Sequence, residues 1–95
     1  MLDKIKVARR ISHNLLDDEI NDTILVARAE LIRSGVDKTI AESDDVLICS
    51  AIKSYCLYSL EEDEKKKDGF WKSWEYQLDC LRKSTGYRKE GGSDV

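Results

Sequence analysis

Three cysteines and one histidine, Cys49, Cys56, Cys80 and His13, match in number the Cys3His set that holds a structural zinc. Spacing argues against that chemistry. Cys49 and Cys56 fall within a stretch read below as one helix, which puts them roughly 10 Å apart along its axis. Thiolates sharing a zinc lie within about 4 Å of each other, and a disulfide needs Cα atoms within about 7 Å. Both cysteines are therefore expected to be small buried hydrophobes in a reducing compartment. His13 has no nucleophile or ligand pair beside it and reads as a loop or capping residue between two helices. The acidic clusters Asp17-Asp18-Glu19 and Asp44-Asp45 stand where helices begin, and the helix dipole favours carboxylates there without any metal. Phe70, Trp71 and Trp74 offer stacking surfaces. Their helical spacing with Leu78 and Leu81 assigns Trp74 to the core and Trp71 partly to a neighbour. The chain contains no phosphate-cradling glycine loop, nucleophile elbow or HExxH pattern. We therefore expect no enzyme activity, no cofactor and no metal.

These residues sit on elements that the apolar periodicity defines. Leu16, Ile20, Ile24, Ala27 and Leu31 recur at spacings of three and four, which predicts a long central helix from Asp17 toward Val36 with one buried face. Leu25, Ala29 and Ile32 form a second apolar line on roughly the opposite side, so this helix needs two packing partners. Gly35 is placed to adopt positive φ just past the last turn. A short first helix is expected over Leu2 to Ile11, followed by Ser12-His13-Asn14, with Asn14 as a candidate cap. Val36 to Ser43 reads as a loop, in which Thr39 and Glu42 have capping-box spacing. A third helix follows Asp44-Asp45, with Ile48, Ile52 and Tyr55 on its apolar face. The acids Glu61 to Glu64 and the bases Lys65 to Lys67 can pair along a helix, which predicts about one more turn of this third helix. Asp68-Gly69 then reads as a break. From Phe70 a fourth amphipathic helix runs to Arg82-Lys83, ending at Ser84-Thr85-Gly86.

Proline is absent and the glycines fall at expected helix ends or in the tail. The expectation is an all-α, small four-helix domain over residues 1–87 with a disordered tail over 88–95. Charged residues make up 37% of the 95, in mixed order and with a net charge of −3, which is no nucleic-acid footprint. No apolar run is long enough for a membrane span or a signal-peptide core, which predicts a cytoplasmic protein.

Several stretches resemble the head-tail connector (adaptor) proteins of tailed bacteriophages and prophages. Leu2 to Ser12 resembles the opening of that family. Asp17-Asp18-Glu19-Ile20, Asp22-Thr23-Ile24, Ala27-Arg28-Ala29-Glu30-Leu31 and Gly35-Val36 resemble its second helix. Ala51-Ile52-Lys53-Ser54-Tyr55 and the closing helix with Tyr87 are also similar to it, whereas Cys56 to Leu60 and the charge block depart from its pattern. The resemblance implies a structural role: copies forming a ring beneath the portal, extending the DNA channel and docking the next neck, stopper or tail component. DNA would pass through without specific binding. The resemblance also implies assembly in the host cytoplasm and residence in the virion neck. On this reading Leu25, Arg28, Ile32, Tyr58 and Trp71 are candidates for the subunit contact, with Arg28 pairing an acid across it. Arg88 and Lys89 are candidates for docking to the portal. The alternative from another class is a small helical DNA-binding or regulatory protein. Against it, the Val36 to Ser43 connection is long for a helix-turn-helix and the third helix presents only Lys53 as a base.

Overall fold

The structure, a computed structural model, describes residues 1–2, 4–5 and 17–88. Among these it is all-α, with four helices: α1 (Asp17–Arg33), α2 (Lys38–Ala41), α3 (Val46–Leu60) and α4 (Glu64–Lys83). Leu2, Lys4 and Ile5 are helical as well, and Ile5 is fully buried in the core. The rest of the expected first helix, with His13, Asn14 and Leu16, lies outside the described residues.

On α1 the apolar spacing does what the periodicity predicts, and Ile20, Ile24, Ala27 and Leu31 are buried. The helix stops in a Schellman arrangement. Gly35 has φ 113 and its amide donates to the Ile32 carbonyl at 3.1 Å, while the Val36 amide reaches the Leu31 carbonyl at 3.0 Å. The apolar contact that accompanies this motif is present too, because Leu31 and Val36 are both fully buried in one cluster.

The connection after Gly35 contains the single turn of α2. Its N-cap is Asp37, whose carboxylate accepts from the Ile40 amide at 3.2 Å. The expected Thr39/Glu42 capping box is therefore corrected: Glu42 is instead the C-terminal cap of this turn. Asp37 wins because its short carboxylate reaches the amide of the third helical residue, Ile40, without help from the chain beyond.

The charge block is the second correction. It does not prolong α3, which ends at Leu60 with Glu61 in extended conformation. Asp63 caps the next helix, its Oδ1 accepting from the amides of Lys65 at 2.9 Å and Lys66 at 3.2 Å. Lys65 to Lys67 thus belong to α4, and Asp68-Gly69 lies inside that helix rather than breaking it. Two effects outweigh the propensity cost of a mid-helix glycine: the cap at Asp63, and the Asp68–Lys72 ion pair at 3.0 Å one turn on.

A three-residue connection between α3 and α4 enforces an antiparallel hairpin, which forms the largest helix-helix interface among the described residues. Tyr58 meets Trp71 at 4.8 Å between ring centroids, and Tyr55 meets Trp74 edge-on at 4.9 Å. Further along, the Gln77 side-chain amide donates to Ser54 at 2.8 Å and to Ser73 at 3.0 Å. Trp74 is buried as expected, with Leu81 beside it on the same face.

Two glycines in unlike settings test these assignments. A Cβ at Gly69 would meet nothing within 4 Å, so Gly69→Ala is expected to raise stability by about 0.5–1 kcal/mol in urea unfolding. At Gly35 the positive φ makes the same change unfavourable, with an expected loss of about 1 kcal/mol.

Candidate functional site

The residues proposed for a subunit contact are distributed by α1 and by the α3–α4 hairpin. Because Ile20, Ile24, Ala27 and Leu31 face the core, the opposite side of α1 carries Asp18, Asp22, Leu25, Val26 and Ala29 in the open. Leu25 is 65% exposed and Val26 47%, an apolar load that this fold leaves uncovered. Ile32, on the edge of that line, is half-buried and packs against the core.

Arg28 has an internal task. Its Nη1 donates to the carbonyls of Ala41 and Ser43, each at 2.8 Å, and its Nη2 lies 3.8 Å from Asp44. The carbonyls are those left without partners where α2 ends, so the guanidinium caps that turn and anchors the chain entering α3. With 14% of its side chain exposed, Arg28 is engaged within its own fold, and the acid nearest its Nη2 is Asp44 of the same chain.

Tyr58 and Trp71 are likewise half-buried in the hairpin seam, and the Lys67 ammonium sits 4.9 Å over the Tyr58 ring. Their free edges line a shallow recess with Glu64 and Asp68. At the C-terminal end the structure moves the expected tail boundary. Arg88 pairs with Val36 in an isolated antiparallel bridge, and the Asp37 amide donates to the Tyr87 carbonyl at 2.8 Å. Arg88 is therefore part of the fold, and Lys89 lies outside the described residues.

Sequence reasoning missed the partner of Tyr87. Its hydroxyl donates to the Asp45 carboxylate, 2.8 and 2.9 Å from the two oxygens, so Asp45 is bonded to the far end of the chain and does not cap α3 with its side chain. The hydrogen bond to Asp45 is the main reason the phenol titrates above the ordinary tyrosine range, followed by burial and the carboxylate's charge. Sequence gave no signal for a pair 42 residues apart. It also missed Val46 and Leu47, which open α3 and are 79% and 52% exposed.

Cys49 and Cys56 are buried on α3, whereas Cys80 is exposed on α4. Burial pushes the Cys56 thiol up to about 12, so it stays protonated and unreactive at neutral pH. Among the described residues no cluster of three or more metal-ligating side chains forms, and no helix is long and apolar enough to cross a membrane. No family model, curated protein or solved structure matches the chain.

Removing the guanidinium by Arg28→Ala strands two backbone carbonyls, with an expected loss of about 1.5–3 kcal/mol in chemical denaturation. Tyr87→Phe is expected to lower the melting temperature at neutral pH. Because folding raises the Tyr87 pKa, that contribution is complete below the unfolded value near 10 and is lost as pH rises through the higher folded value. The difference between wild type and Tyr87→Phe should therefore shrink in alkaline thermal melts.

Proposed function

We propose that this chain is a structural neck protein of a phage or prophage, resembling the head-tail connectors, that assembles with itself into a ring under a portal. The observation that carries the reading is where the resembling residues fall. Ala27, Ala51 and Ile52 are core, Arg28 anchors the α2–α3 connection, Gly35 stops α1 and Tyr87 closes the C-terminal turn on Asp45. The motifs thus coincide with the positions that hold the fold, as expected if they mark a shared architecture. Leu25 and Val26 supply exposed apolar surface for assembly. Arg88 would meet the portal from the turn that Tyr87 anchors. The regulatory, DNA-binding alternative has less support: α2 separates α1 from α3, and the exposed start of α3 presents Val46 and Leu47 rather than bases.

Native mass spectrometry over a concentration series, with negative-stain images of the largest species, tests this. A closed ring is the expected result. A monomer at every concentration, with and without purified portal protein, would overturn the proposal, and salt-dependent retardation of duplex DNA would favour the alternative. Within the ring reading, Leu25→Asp is expected to abolish assembly while leaving the monomer's melting temperature nearly unchanged. Ile32→Asp is a poorer probe, because Ile32 packs on the core and its loss would unfold the domain as well.

A further inference from the structure

Leu25 and Val26 on α1 and Val46 on α3 stand in two patches of opposite charge. On α1, Leu25 and Val26 share the solvent side with Asp18 and Asp22, and from Asp17 to Ala27 the sequence has four carboxylates and no base. On α3, Val46, Cys49, Ser50 and Lys53 follow one another at helical spacing and form a groove with Met1 and Lys4 of the N-terminal segment. Two lysines and the exposed Val46 line this groove, and no carboxylate does so among the described residues. One patch is acidic and apolar, the other basic and apolar.

We infer that the acidic α1 stripe of one copy docks in the Lys4/Lys53 groove of the next, so that the chain associates with itself head to tail. This rests on the self-assembly reading above for its choice of a second copy as occupant. Within one molecule the two patches cannot meet. The buried face of α1 packs toward α3, which turns the Asp18/Asp22/Leu25 stripe away from the groove. Each copy therefore presents one donor patch and one acceptor patch, and such a heterologous contact propagates until rotation closes it into a ring. Complementary charge sets the register and speeds encounter, while Leu25, Val26 and Val46 supply the apolar area removed from water.

Charge reversal on each side tests the contact. The variants are Asp18→Lys with Asp22→Lys, and Lys4→Glu with Lys53→Glu, each checked for a native melting profile and followed by sedimentation velocity at low salt. Alone, each variant sets like charge against like charge and is expected to associate at least about tenfold more weakly than wild type. Mixed in equal amounts, the two restore opposite charges at every junction, and assembly should return. If wild type assembles and both variants do so equally well alone, the contact lies elsewhere and the self-assembly reading survives. If the mixture stays dissociated although each variant is folded, the pairing of these two patches is overturned. A wild-type protein that remains monomeric at every concentration, with and without purified portal protein, overturns both.

Discussion

The fold depends on bringing four pieces of chain to one place: the end of α1, the turn of α2, the start of α3 and the residues after α4. Arg28 is the principal tie, because two donors of a half-buried guanidinium satisfy carbonyls that the short α2 leaves open. Around it, the Schellman turn at Gly35 delivers Val36 to the core, Asp37 starts α2, and Tyr87 bonds both the Asp37 amide and the Asp45 carboxylate. A connection of this length would ordinarily be a loose surface loop. Here each end is held by a residue distant in sequence, which fixes how α3 leaves α1.

The α3–α4 hairpin then follows from that placement. Once α3 is set against α1 through Ile48 and Ile52, its remaining exposed ridge carries Tyr55 and Tyr58, and α4 returns along it with Trp74 and Trp71. Two tryptophans are a large apolar load for so small a domain. The hairpin divides it, burying Trp74 and leaving Trp71 an edge at the surface.

What remains uncovered is the surface on which the proposed self-assembly rests. A domain of this size hides only about 60–65% of the surface its unfolded chain exposes, and single exposed hydrophobics are common. Leu25 and Val26 on one helix, beside Asp18 and Asp22, and Val46 on another, in a groove with Lys4 and Lys53, are less readily dismissed, because each stands in a patch whose lining charges share a sign. A protein that works by stacking copies needs two unlike surfaces of this kind, and it needs a stiff body between them. On the proposed reading that body would include the tie at Arg28, which links α1 to the chain entering α3.

Sequence alone determined the all-α class, the buried face of α1, its glycine stop, the core of α3 and the burial of Trp74, because these follow from local periodicity and backbone preference. It misplaced the α3–α4 boundary, since a run of four acids and three bases pairs equally well along one helix or across two. The cap at Asp63 and the return of the tryptophans decided between these. It also read Arg28 as a residue for a partner and Arg88 as tail. Nothing local shows that the carbonyls of Ala41 and Ser43 lie within reach of one, or that Val36 pairs with the other. Tertiary structure alone decided those roles, as it did the Tyr87–Asp45 bond and the exposure of Val46, because each depends on which distant segments the packed helices bring within hydrogen-bond distance or leave bare.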